Sequence, residues 1–141
     1  HVVACMVSYG GLFLAAILGA AYLGRATLWR PVAAIGPDAV CLDLERQIYG
    51  SVVIAWILLT FGIVTGAIWA HHAWGRYWGW DPKEVWSLVT WIVYALLLHT
   101  RIFLGWKGWK MAVFSVAAFG AVVFTYFGVS FLLSGLHSYA K

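Results

Sequence analysis

The chain has 141 residues, 64% hydrophobic and 10% charged, with a mean hydropathy of +0.88 and a formal net charge of +4. Soluble domains carry about a quarter charged residues, so the composition excludes a water-soluble globule, a disordered chain and a disulfide scaffold. Nine Lys and Arg against five acids is too small an excess for a nucleic-acid-binding domain, so no nucleic acid is expected as a partner.

A membrane-crossing helix needs about 20 mostly apolar residues, each rising about 1.5 Å through a hydrocarbon core ~30 Å thick. Four stretches almost free of Asp, Glu, Lys and Arg meet that length: about 2–24, 48–72, 82–104 and 111–134. They predict an all-α integral membrane protein, a bundle of four transmembrane helices forming one membrane domain over 1–141. The third span reaches about Leu104 only if Arg101 snorkels toward a headgroup layer. A Trp-rich external segment at about 70–84 joins the second and third spans. No basic region precedes the first span, so it does not read as a signal peptide. The chain starts at His1 and not at Met, and reads as a fragment of a longer chain or a processed product.

Basic residues orient the spans. The loop after span one holds Arg25, Arg30 and Arg46, and the loop after span three holds Arg101, Lys107 and Lys110. The opposite face holds Arg76, Lys83 and Lys141, offset by Asp81 and Glu84. The first and third loops are therefore expected in the cytoplasm or its topological equivalent, and the segment 70–84 on the other side. Cys5 falls near the outer end of span one and Cys41 in the inner loop, too far apart for a disulfide. They read as two unpaired thiols.

Six of the ten tryptophans lie between Trp69 and Trp91. An aromatic belt at the headgroup level is the plain explanation. Yet Trp74, Trp78, Trp80 and Trp86 are dense in sequence, interrupted by Gly75 and Gly79, and mixed with Arg76 and Lys83. Indoles supply rigid π-faces, glycines admit a close approach, and cations pair with carboxylates. Such a surface suits a flat, apolar ligand with acidic tails, of which haem is one. Asp81-Pro82-Lys83-Glu84 spells an N-cap acid, Pro at the first helical position and Glu at the third, a capping box that starts a helix at Pro82. Asp81 and Glu84 are thus structural first, with ligand contact as their second role.

Among the histidines, His99 lies about 25 Å along its helix, where an ionisable group is costly. It is either satisfied by a neighbouring helix or an axial ligand to iron. His1 and His137 come to the same membrane face as the tryptophans, either as two interfacial side chains or as a pair of axial haem ligands. His71 and His72 cannot easily aim both rings at one metal and read as structural or rim residues. No His-Glu-x-x-His, Gly-x-Ser-x-Gly or phosphate loop is present, which removes the common hydrolases.

The run Trp74-Gly75-Arg76-Tyr77-Trp78-Gly79-Trp80-Asp81-Pro82-Lys83-Glu84 resembles the WWD signature of the haem-handling cytochrome c biogenesis proteins. Leu98-His99-Thr100-Arg101, Gly105-Trp106-Lys107-Gly108, Gly135-Leu136-His137-Ser138-Tyr139 and Leu42-Asp43-Leu44-Glu45-Arg46 are similar to the CcsA (ResC) branch. The resemblance implies a component of a holocytochrome c synthase in the bacterial cytoplasmic or thylakoid membrane. Its substrate is haem b, its partners a CcsB (ResB)-like membrane protein or fused region, apocytochrome c and membrane lipid. It further implies that His1 and His137 ligate haem presented against the WWD segment. Asp81 is expected beside them among the catalytic residues, and Trp74, Trp78, Trp80, Trp86, Arg76 and Lys83 around the ligand. His99 matches a histidine of a second, intramembrane haem site whose partner lies upstream in the family. The implied reaction adds the two thiols of a Cys-x-x-Cys-His segment across the haem vinyl groups. Two rivals stay open: a haem carrier of the CcmC type without ligation chemistry, and a structural subunit whose tryptophans are only a belt.

Overall fold

A computed structural model describes residues 1–28 and 39–132. Their regular structure is entirely helical: α1 (Val2–Leu28), α2 (Ala39–Trp74), α3 (Pro82–Phe103), α4 (Trp109–Val123), a π-helical turn (Phe124–Gly128) and α5 (Val129–Leu132). The last three run on as one apolar rod, Trp109–Leu132, so four helices are long and apolar enough to cross a membrane.

At 36 residues α2 is about 54 Å long, well beyond the hydrocarbon thickness, and so projects at both ends. Its first turns include Leu42–Arg46, and Cys41 is buried within them, which corrects the expected loop placement of that cysteine. A hydrogen bond from Gln47 Nε2 to Asp43 Oδ2 (2.7 Å) supports the helix there, an i,i+4 pair of the kind that stabilises helix surfaces. The start of α3 has the capping box that its sequence spells. Lys83 N donates to Asp81 Oδ2 (3.2 Å), and Asp81 N donates to Glu84 Oε2 (3.2 Å). The link to α4 ends at Gly108, whose φ of +62° favours glycine; a Cβ there would also lie 2.8 Å from Tyr22 Oη.

Lipid gives apolar side chains no reason to prefer one another, so helices in a membrane associate through close packing and hydrogen bonds. Both devices are present. Ser8 Oγ donates to the Ala55 carbonyl (2.7 Å), and Gly11 faces Ala55 across the α1–α2 crossing. Trp56 and Trp91 brace α2 against α3: Trp56 Nε1 donates to the Trp91 carbonyl (3.2 Å), Trp91 Nε1 to Thr60 Oγ1 (2.8 Å), with ring centroids 4.9 Å apart. Thr90 and Thr125 share a hydrogen bond (2.9 Å), and Thr125 Oγ1 reaches the Trp86 carbonyl (3.1 Å), tying the π-helical turn to α3.

Gly19 lets α1 lie directly on α4. A Cβ there would come within 2.9 Å of the Ala112 carbonyl and 2.5 Å of Ser115 Oγ, and the carbonyl is backbone that cannot rotate away. Gly19→Ala is therefore expected to lower stability by about 1–3 kcal/mol, the usual cost of overpacking. Thermal unfolding in detergent micelles measures it; an unchanged or raised midpoint would contradict this packing.

The end of the bundle away from the tryptophans is closed by an ion pair. Arg101 Nη1 donates to Glu45 Oε1, and the guanidinium also reaches the Trp106 carbonyl (3.2 Å) and lies over the Tyr49 ring at 5.4 Å. Glu45 Oε2 accepts from Gly108 N (2.9 Å). Arg101, expected to snorkel toward a headgroup layer, pairs with the buried Glu45, and the contact joins α2, α3 and the link to α4.

Candidate functional site

The opposite end carries the tryptophans. The short link from Gly75 to Asp81 crosses from α2 to α3, and one carboxylate bonds its backbone twice. Glu84 Oε2 accepts from Gly79 N (2.7 Å) as well as from Asp81 N. Asp81 is buried as the helix cap. Arg76 folds over Gly79, where a Cβ would sit 2.7 Å from its Nε. Trp80 takes a φ of +56° and is 73% exposed. Backbone held in that region by a non-glycine residue is strained, and here the carboxylate grip on both neighbours holds it.

Beneath the link lies a cavity of about 500 Å³, within the usual range of small-molecule sites. Its α1 side is His1, Cys5 and Tyr9, and its α2 side is Gly62, Gly66 and Ala70. Tyr77 and Trp78 border it from the link, Lys83, Glu84 and Ser87 from α3, and Thr125, Tyr126 and Phe127 from the π-helical turn. π-Turns interrupt α-helices frequently at functional sites. This one turns an aromatic pair and a hydroxyl toward the cavity.

The expected site residues divide. His1, Trp78 and Lys83 meet at this cavity. Trp74 stands edge-on to Trp69, centroids 5.0 Å apart, and Trp80 edge-on to Trp78 at 6.0 Å; neither lines the cavity. Trp86 packs on Phe124 (centroids 4.3 Å apart, planes inclined by 49°) and supplies its carbonyl to Thr90 and Thr125. His71 stacks flat on Tyr77 (4.3 Å, 5°), with His72 beside it. His99 is well away from the cavity on an exposed face of α3, its ring 4.5 Å from Phe103, with no hydrogen bond among the described residues. His137 lies outside the described residues.

Tyr9, Tyr77, Ser87, Thr125 and the supporting Trp69 and Glu84 complete the surroundings. One signal for them was available: His1, Cys5 and Tyr9 recur every four residues, as do Gly62, Gly66 and Ala70, which puts each trio on one helix face. Chemically the space is largely apolar and lined by aromatic side chains, with one imidazole at the rim, one lysine on the wall, and a carboxylate, Glu84, engaged by the link backbone. Among the described residues no three of His, Cys, Asp and Glu converge on a metal. This donor set fits a group that brings its own metal in a flat apolar frame and needs only an axial nitrogen and a cation for its acid tails.

Four membrane-length helices with a cavity bordered by Trp78 at one end define a multi-pass helical membrane protein. The family model described as Cytochrome C assembly protein matches residues 1–137. The chain belongs to that family, which serves cytochrome c biogenesis. It is similar to the cytochrome c biogenesis protein CcsA of Synechococcus elongatus, 46% identical over 118 residues (82% of this chain, 36% of that protein). The CcsA of Prochlorococcus marinus strain MIT 9515 is 48% identical over 97 residues (69% and 31%). That of Synechococcus sp. strain CC9311 is 37% identical over 168 aligned positions (99% and 55%). The chain spans about a third to about half the length of the curated relatives it matches.

Proposed function

We propose that this chain holds haem at the outer membrane face and presents it for covalent attachment to apocytochrome c, as part of a holocytochrome c synthase with a CcsB-like partner. The observation that carries this reading is the His1 imidazole at the rim of an apolar cavity whose wall holds Trp78 and Lys83. His1 and His137 are the axial ligands, Trp78 covers the ring, and Lys83 meets a propionate, with Arg76 as a second cation at the rim. Asp81 acts by fixing the link that carries the tryptophans. The incoming Cys-x-x-Cys-His segment replaces one axial imidazole with its own. Each of its thiols then adds across a vinyl group, sulfur to one carbon and hydrogen to the other. Holding both reactants in place supplies much of such catalysis.

The basic residues Arg25, Arg46, Arg101, Lys107 and Lys110 gather away from the link that carries Trp78 and Trp80, which supports the cavity on the periplasmic or lumenal side. His99, exposed within a span, is assigned to a second haem site in the membrane; a ligand role would give a partner to an imidazole otherwise costly there.

The test uses the full-length protein with its membrane partner. His1→Ala and His137→Ala are each expected to lose most outer-site haem and cytochrome maturation, and added imidazole to restore both. Undiminished haem content and maturation in these variants without imidazole would overturn the ligand assignment. Haem retention with no attachment by the wild-type complex would favour a carrier of the CcmC type.

A further inference from the structure

The wall of the cavity contributed by α2 carries a feature that the ligand role of His1 does not use. The His1 ring lies over Gly66: a Cβ at that glycine would stand 3.5 Å from the imidazole Cδ2 and 3.7 Å from Cγ. One helical turn further, Trp69 flanks the same ring, centroids 5.4 Å apart and planes inclined by 34°. Trp69 is itself braced edge-on by Trp74. The relative position of α1 and α2 is set just below, where Cys5 Sγ fills the notch left by Gly62.

From these contacts we infer that Gly66 and Trp69 are positioning residues that set the plane of the His1 imidazole before a haem arrives. Gly66 gives the ring a floor without side-chain bulk, and Trp69 blocks its rotation to one side. A tryptophan serving only as a headgroup anchor would turn its ring to lipid; this one faces an imidazole and a second indole. Residues i and i+3 share a helix face, so α2 presents floor and flank together. Hydrogen-bonded outer partners of metal-bound histidines fix ring orientation, and removing them costs about 10–100-fold in affinity; a ring held by packing alone belongs at the lower end.

The inference rests on His1 as an axial ligand, and the experiment separates the two. In the full-length protein with its partner, haem content, the Soret band and the low-spin ferric resonance spectrum are compared for Trp69→Ala, Trp69→Leu, Trp69→Phe, Gly66→Leu and His1→Ala. Trp69→Ala, Trp69→Leu and Gly66→Leu are expected to hold haem about 10-fold less tightly, with an altered g-anisotropy and recovery on adding imidazole. Trp69→Phe, which keeps a flat ring, restores the wild-type spectrum. Should Trp69→Ala fail to accumulate in the membrane, Trp69→Leu and Gly66→Leu still decide the matter. Wild-type spectra and haem content in those two, with loss in His1→Ala, would overturn the seat and leave the ligand reading intact. Wild-type behaviour of His1→Ala would instead overturn the ligand reading itself.

Discussion

Glu84→Ala is expected to abolish most cytochrome maturation in the full-length complex while leaving the helix bundle folded. The carboxylate accepts from the backbone of Gly79 and of Asp81, and these two bonds hold the link on either side of the strained Trp80. Hydrogen bonds to a charged acceptor contribute about 1.5–3 kcal/mol each, and acidic charge at a helix start adds about 0.3–1 kcal/mol. Their loss falls on the seven-residue link, which the Tyr77–His71 stack still ties to α2, so the effect is local. Trp80 relaxes from its left-handed conformation, Trp78 leaves the cavity, and maturation drops by at least about tenfold, the equivalent of roughly 1.4 kcal/mol. Glu84→Gln keeps an acceptor of the same shape and should fall between. Limited proteolysis within the link, read beside cytochrome yield, checks both variants. Wild-type yield and wild-type protease resistance in Glu84→Ala would mean that the link is held by other contacts.

At the other end, Glu45→Ala or Arg101→Ala is expected to be the most destabilising single substitution. Removing one partner strands the other charge away from water, at about 3–5 kcal/mol. The side chains are 11% and 19% exposed, so the lower part of that range applies. Glu45→Ala also frees Gly108 N, the residue that opens α4. Replacing both partners by Leu removes the stranded charge and should recover much of the loss. A thermal double-mutant cycle in detergent gives the coupling directly; additive single and double effects would show that the pair contributes nothing of its own.

The helices themselves were legible because span formation is a local property. Twenty consecutive apolar residues become a helix in lipid, since no other arrangement satisfies the backbone polar groups within a single segment. The capping box at Asp81-Pro82-Lys83-Glu84 was legible for the same reason: its partners sit within three residues of one another. The second bond of Glu84, to Gly79, was hidden because it depends on how the link folds back. Glu45 and Arg101 are 56 residues apart, and nothing in either neighbourhood announces the other. Arg101 alone resembles a snorkelling end-of-span arginine, and only the buried carboxylate on α2 redirects it. The His1–Cys5–Tyr9 face was written in the spacing, yet a uniformly apolar helix gives no contrast by which to see which face is inward. Lys83 stood out as a cation among indoles and His1 through the membrane face it shares with them, whereas Trp69 and Gly66 emerged only from the placement of α2 against α1.

The interlocked Trp56 and Trp91 have a use of their own. Two indoles with centroids 4.9 Å apart and planes inclined by 31° couple their electronic transitions. They should give a circular dichroism couplet of their own beside those of the Trp69–Trp74 and Trp78–Trp80 pairs. Because the pair sits between α2 and α3 and not at the cavity, its couplet reports whether those two helices stay engaged. Difference spectra against Trp56→Phe would isolate that band and give an optical gauge of helix separation inside the membrane, readable while haem comes and goes.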